Sequence, residues 1–319
     1  MTCALTTTAR LRRADAFCGN PAVGTTRFTP IIDGGDPVLL DLGARLRVGT
    51  GSDLEFLREA HRWIQQRIRP VYSLNETQPA SATLAKCRGA CSQRIALLEA
   101  LARGAGIATR SEALLIHGSF WHPRFRYVRR AVPQRILIAW PDFLVDSAWM
   151  NLSDLFVADA KNPAPAFANQ GAETLFDAIA TGSASWVASG CAEGSCMPGD
   201  LARVDRLLGR FADRDAVFAR YGQNPPGILC VPLEPVFGRW AAKGWISGHP
   251  RAIGRDKNQA GPSCRTYCRH TWTRLKARRI GSSSLISACM KAGTGRDNPY
   301  GPWNPSFGSL SPLYTCRYR

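Results

Sequence analysis

Apolar residues at Leu57, Ala60, Ile64 and Ile68 recur at intervals of three and four, with Trp63 beside them. That spacing predicts an amphipathic helix over about 53–68. Ser52 and Glu55 form a capping-box pattern at its start. A second stripe, Cys91, Ile95, Leu98 and Ala102, predicts a helix over 91–104 with Cys91 on its inward face, ended by Gly104 and Gly106. The period then shortens. Glu112 to Ile116 and Arg135 to Trp140 read as strands, the second rich in branched and aromatic residues. Phe143-Leu144-Val145 leads through Asp146-Ser147-Ala148 into Trp149 to Leu152, which reads as a hairpin partner. Residues 1–37 are irregular, with one strand expected near Thr29–Ile32. Residues 69–80 and 157–171 read as loops. Short helices are expected at about 173–181 and 201–221, separated by a Gly/Cys-rich link.

After Gly222 the periodicity stops. Composition sharpens this boundary. The 319-residue chain has a formal charge of +17, but residues 224–319 hold 15 Lys and Arg against three acids, Glu234, Asp256 and Asp297, a net of +12. Residues 1–223 carry the other 26 basic and 21 acidic residues, a net of +5. The basic excess belongs mostly to the last third and says little about the first two. Three regions follow: an irregular segment over 1–37, one domain over 38–222, and a low-order basic tail over 223–319 rich in Arg, Trp, Gly and Pro. The tail's composition breaks so abruptly that a shifted reading frame is one origin for it, which the other frames of the coding sequence would test. Trp240, Trp245, Trp272 and Trp303 among its arginines suit nonspecific, salt-sensitive contact with single-stranded nucleic acid, without a motif for specific recognition.

No segment reaches the roughly 18 apolar residues of a membrane span. The opening residues place Arg10, Arg12 and Arg13 after a weakly apolar run, the reverse of a secretory signal. The chain reads as cytoplasmic, with no membrane partner. Its 11 cysteines are odd in number and lack a framework spacing, so thiols are expected rather than disulfides. Cys87 and Cys91 are four apart, as are Cys264 and Cys268 with His270 nearby; neither pair has the spacing or the distant second pair of a zinc site, and Cys191 and Cys196 fit no pattern. Gly34-Gly35-Asp36 and Gly49-Thr50-Gly51 lack the context of a phosphate loop. Neither a metal nor a cofactor is expected.

The candidate chemistry lies at Gly89-Ala90-Cys91. A thiol after a Gly turn, at the first turn of a helix, feels the positive end of the helix dipole and unpaired backbone N–H groups, which favour the thiolate. A nucleophile also needs a base to move protons. His122, in Phe120-Trp121-His122-Pro123, and His117 lie ahead of the 135–140 strand and reach the thiol only if their loop folds back.

The order of a helix, Ser81-Ala82-Thr83-Leu84, Gly89-x-Cys91, an amphipathic helix, Gly106-Ile107-Ala108-Thr109-Arg110 and paired strands resembles the transglutaminase-like superfamily, relatives of papain-fold thiol enzymes, over roughly 38–156. Glu173 to Ala178 and Phe211 to Gly222 look like a continuation seen in some bacterial members. The resemblance implies an α+β, papain-like core with the nucleophile helix packed on an antiparallel sheet. It also implies a Cys, His, Asp triad. Cys91 matches the nucleophile. The family histidine begins a strand ahead of a Trp, and here Ile138 stands in its place before Ala139-Trp140. Trp149 matches the Trp of the next strand, and Asp154, five positions on, matches the orienting acid. His122 is left as the substitute base. Two functions stay open: thiol-dependent acyl transfer or amide hydrolysis on a protein or peptide, and a catalytically silent domain of the same fold used for binding or assembly.

Overall fold

The computed structural model describes residues 23–125, 127, 129–156, 167–170, 173–181 and 204–222. The predicted tail, most of the 157–171 loop and the Gly/Cys-rich link lie outside the described residues, as do Cys191, Cys196, Cys264, Cys268 and His270.

Asp36 accepts hydrogen bonds from the N–H groups of Val38 (2.8 Å) and Leu39 (3.4 Å), and Pro37 occupies the first turn. This N-cap with a following proline starts α1 (Pro37–Arg47), which the sequence reading left unassigned. Ser52 caps α2 (Asp53–Arg67) by accepting from the Glu55 N–H at 3.2 Å. The reciprocal half of the expected box differs: Glu55 accepts from Gly51 N–H rather than from Ser52. Leu57, Ala60, Ile64 and Ile68 are buried as the stripe predicts. The 69–80 loop holds β1 (Arg69–Pro70) and leads into α3 (Ala80–Lys86), and β1 pairs in parallel with β2 (Arg88–Gly89). The sharp turn ahead of Cys91 falls at Cys87, which has φ 49°, and not at Gly89. Gly89 is needed for another reason: a Cβ there would lie 2.7 Å from Thr83 Cγ2. The strand expected at Thr29–Ile32 is a bend instead, fixed by Thr29 N–H to Ile32 O (3.0 Å) and by Asp215, which accepts from Ile31 N–H (3.0 Å) and the Thr29 hydroxyl.

The helix of the second stripe, α4 (Cys91–Gly104), is buried on every side from Cys91 to Arg103, not along one face. Helices α1, α2 and α3 pack on it, and so does a four-stranded antiparallel sheet in the order β5-β4-β3-β6. β3 (Thr109–His117) and β4 (Arg135–Val145) pair from Thr109 opposite Phe143 to His117 opposite Arg135. β4 turns through Asp146 (φ 48°) and Ser147 (φ 65°) into β5 (Ala148–Asn151), two left-handed residues as a tight hairpin requires. After α5 (Leu175–Ile179) the chain returns as β6 (Val204–Phe211) and α6 (Arg214–Tyr221). The predicted 201–221 helix is therefore corrected. Val204, Leu207, Leu208 and Phe211 have helical spacing, but β3 presents an open edge, and backbone pairing along it makes the segment a strand. Asp213 then caps the shorter helix by accepting from Ala216 N–H at 2.7 Å. The α+β architecture, with the Cys91 helix against an antiparallel sheet, is as the resemblance implies. No helix among the described residues is long and apolar enough to cross a membrane.

Burial of α4 on all sides forces its polar side chains to find partners. Glu99 Oε1 accepts from Arg214 Nε (3.0 Å) and Nη2 (2.6 Å), with both residues almost fully buried. Arg103 donates to Thr109 Oγ1, Arg27 O and Ala212 O. Glu99→Ala leaves the Arg214 guanidinium buried without its carboxylate and is expected to destabilise the fold by about 3–5 kcal/mol, while Glu99→Leu with Arg214→Met recovers most of that; urea unfolding measures both. Ser147→Gly relieves a left-handed non-glycine residue in the hairpin and should raise stability by roughly 0.5–1 kcal/mol in the same assay.

Candidate functional site

Gln93 organises the start of α4. Its side-chain oxygen accepts from Ala90 N–H at 2.9 Å, and its amide donates to Ser73 Oγ and Asn75 O, both at 2.8 Å. This fixes the turn that presents Cys91, whose side chain is fully buried. Cys87 and Cys91 are both free thiols.

The thiol faces α5. Thr174 and Asp177 cap this short helix reciprocally: Thr174 N–H and hydroxyl donate to Asp177 Oδ2, and Asp177 N–H donates to Thr174 Oγ1. Arg94, one turn beyond Cys91, ties α4 to that cap. Its Nη1 donates to Thr174 Oγ1 (3.2 Å), its Nη2 pairs with Asp177 (3.1 Å), and its guanidinium lies 4.3 Å from the Phe176 ring centroid. Burial pushes the Cys91 thiol above its ordinary pKa. Asp177 pushes the same way, while Arg94 and a hydrogen bond from the Phe176 backbone pull it down. The helix start was expected to favour the thiolate; removal from water outweighs it. Asp177 itself is held below the usual carboxylate range: burial opposes its ionisation, but Arg94 and the Thr174 donors prevail.

On the far side of residue 176 lies His61, from the buried face of α2. Its ring stacks on Phe176 (centroids 4.1 Å, 9° between planes), meets Phe156 edge-on, and places Nε2 2.8 Å from the Phe176 carbonyl. Nδ1 has no hydrogen-bond partner in the structure. Burial, aided by Arg94, lowers the His61 pKa to about 3. His61, Arg94 and Asp177 are not among the residues that the sequence marks as candidates. His61 was readable as a polar residue inside the Leu57–Ala60–Ile64 stripe, and Thr174-x-x-Asp177 as a capping box. Nothing local marks Arg94 as buried.

The residues proposed from sequence lie as follows. His122 is half-buried after the single 3₁₀ turn Gly118–Trp121 and donates its N–H to Ser119 O at 3.0 Å. His117 is exposed at the end of β3. Asp154 sits exposed in the 3₁₀ turn Leu152–Leu155; partial burial and the nearby Asp142 raise its carboxyl pKa, against a hydrogen bond from the Asn151 backbone. Ile138 is buried in β4 opposite Leu114. The groups that bear most on the Cys91 thiol among the described residues are Arg94, Asp177 and Phe176, and no histidine is among them. The Asn151 amide instead joins β4 to β5, accepting from Trp140 Nε1 (2.8 Å) and donating to Asp142 (3.0 Å).

Searches of curated proteins and of solved structures return no match. A family model does match: residues 41–153 fit the transglutaminase-like superfamily. The matched span carries Cys91, His122 and Ile138; Asp154 falls one residue beyond it, and α5 lies wholly outside it. With Cys91 opening a buried helix that packs against an antiparallel sheet, and with that match across the same segment, the chain carries a transglutaminase-like domain.

Proposed function

We propose that this transglutaminase-like domain carries out no acyl transfer and serves as a binding or assembly module. The setting of Cys91 carries the reading. Thiol catalysis needs an imidazole that takes the thiol proton and returns one to the leaving group. Here the thiol is buried against Arg94, Asp177 and the Phe176 backbone, in surroundings that favour the neutral form. Ile138, where the family base is expected, contributes only a buried aliphatic side chain. His61, the imidazole that shares Phe176 with the thiol, is neutral at pH 7 and, with a pKa near 3, a poor proton acceptor.

A second reading retains thiol-dependent acyl transfer or amide hydrolysis, with Cys91 as nucleophile, His122 as base and Asp154 orienting it. One observation favours it: Cys91 is the first residue of α4 and lies inside the span that the family model matches. It requires the buried thiol to become accessible to a substrate and to an imidazole.

Iodoacetamide labelling across pH separates the two. Cys91 in the native protein is expected to resist alkylation at neutral pH and to react at the ordinary thiol rate once unfolded, with half-buried Cys87 as the internal comparison. No amine is expected to be incorporated into a glutamine peptide. Rapid labelling of Cys91 near pH 7, with amine incorporation abolished by Cys91→Ala and slowed by His122→Ala, would sink the proposal.

The buried His61 also sets a pH dependence. Its pKa falls from 6.5 to about 3 on folding, so below pH 6.5 the unfolded chain binds a proton that the folded chain refuses. Above pH 6.5 the group has no effect; as pH falls from 6.5 towards 3, stability declines with a slope approaching one proton, about 1.4 kcal/mol per pH unit. His61→Asn should flatten the stability profile between pH 6.5 and 5, above the range where Asp177 begins to titrate. An unchanged slope in urea unfolding would show that folding leaves the His61 pKa where it is in the unfolded chain.

A further inference from the structure

We propose that Arg69 and Arg88, side by side on β1 and β2, form a binding site for a phosphate monoester. The site goes beyond the reading of this domain as a binding module and does not depend on whether Cys91 is silent.

β1 and β2 pair in parallel, Arg69 with Arg88 and Pro70 with Gly89. Paired residues of a ladder project from one face, and successive residues alternate between faces. Pro70 and Gly89 are buried while Arg69 and Arg88 are half-buried, so the two arginines share the outward face. Neighbouring strands lie about 4.8 Å apart, which sets the spacing of the two backbones. Hydrogen bonds from Arg69 N–H to Cys87 O (3.0 Å) and from Val71 N–H to Gly89 O (3.1 Å) hold them there. The left-handed residue Cys87 (φ 49°) ends α3 and brings Arg88 into this register.

Like charges directly opposed across a ladder destabilise it. Elsewhere the fold answers its buried and half-buried arginines. Arg94, Arg110, Arg210 and Arg214 pair with carboxylates, and Arg58 and Arg103 donate to backbone carbonyls. Among the described residues, neither the Arg69 nor the Arg88 guanidinium has a carboxylate, carbonyl or ring partner. The chain has no acid between Glu59 and Glu76 or between Glu76 and Glu99, and Glu76 is itself buried. Lys86, exposed ahead of the Cys87 turn, donates to Gln78 Oε1 and adds its charge to the neighbourhood. The first residue of α4 is three positions beyond Arg88, so the positive end of that helix lies on the same short stretch of chain.

A guanidinium presents a planar fork of N–H donors that fits an oxyanion in a two-pronged pair. Two adjacent forks call for a ligand with more than one negative charge and more than two acceptor oxygens. A phosphate monoester has three acceptor oxygens and a charge of about −2 near pH 7, so it answers both arginines at once. A single carboxylate leaves one of them unanswered.

The test titrates the full chain into a fluorescein-labelled phosphoserine peptide, followed by anisotropy, beside the serine and glutamate versions. Arg69→Gln with Arg88→Gln removes the pair. Arg129→Gln with Arg130→Gln makes the same change of charge at the exposed turn between β3 and β4, which controls for the general basicity of the chain. The first double variant should weaken phosphopeptide binding about tenfold or more, the second less than about twofold. Arg69→Lys with Arg88→Lys keeps the charge, loses the forks and should also bind more weakly. The glutamate peptide should bind several-fold more weakly than the phosphoserine peptide. Relief of the like-charge contact should leave the urea midpoint of Arg88→Gln unchanged or higher. Inorganic phosphate should displace the peptide: displacement at micromolar phosphate identifies the free ion as the ligand, and displacement only at millimolar phosphate identifies a phosphoryl group carried on a peptide. Equal losses in the two glutamine variants, a glutamate peptide that binds as tightly as phosphoserine, no displacement by phosphate, or a lowered urea midpoint in Arg88→Gln would each overturn the proposal. So would an oligonucleotide lacking terminal phosphates that binds more tightly than the phosphopeptide and is lost in the Arg69→Gln/Arg88→Gln variant.

Discussion

A helix buried on all sides must satisfy its polar side chains within the protein, and α4 is such a helix. Arg94, Glu99 and Arg103 are each removed from water and each meets a partner from a distant part of the chain: the α5 cap, Arg214 of α6, and the carbonyls of Arg27 and Ala212. These contacts fix where the elements after the sheet must return. Charge buried without its partner is far more costly than the pair, so α4 ties the correct placement of α5 and α6 to its own burial. The same helix begins with Cys91, and the thiol inherits that dry environment.

Family core and added elements meet at this point. The matched segment ends at residue 153, yet the groups that define the surroundings of Cys91 include Phe176 and Asp177 from α5, beyond it. The segment that covers the thiol is held by a reciprocal cap, by an ion pair to Arg94, and by Phe176 stacked between a guanidinium and the His61 ring. Four of its five residues, Leu175, Phe176, Ala178 and Ile179, are buried. This packing belongs to a core element, and it explains why a position that favours the thiolate in principle holds a thiol whose ionisation is suppressed.

Much of this was legible in the sequence, for identifiable reasons. The α2 and α4 stripes, the strand composition of β4 and the hairpin at Asp146-Ser147 each depend on local periodicity and turn chemistry, which neighbours in sequence carry. The missed α1 had its own signal in Asp36-Pro37. The segment 201–221 misled because Val204, Leu207, Leu208 and Phe211 have helical spacing. Only the open edge of β3, which requires backbone partners, made the first part a strand. Of the site, Cys91 was legible from its turn and helix and Ile138 from its strand. His61 went unread because a polar residue in an apolar stripe usually faces solvent at the stripe's margin.

By itself, the sequence determined the α+β class, the helix that Cys91 opens and the strand that holds Ile138, because each of these follows from residues close together in the chain. Tertiary structure decided what surrounds the thiol. Arg94, Asp177, Phe176 and His61 come from three helices, and whether they expose, ionise or bury a cysteine depends on contacts across more than a hundred residues. It also decided the direction of the thiol's pKa, since desolvation is a property of the packed whole, whereas the helix dipole that favoured the thiolate is a property of one segment.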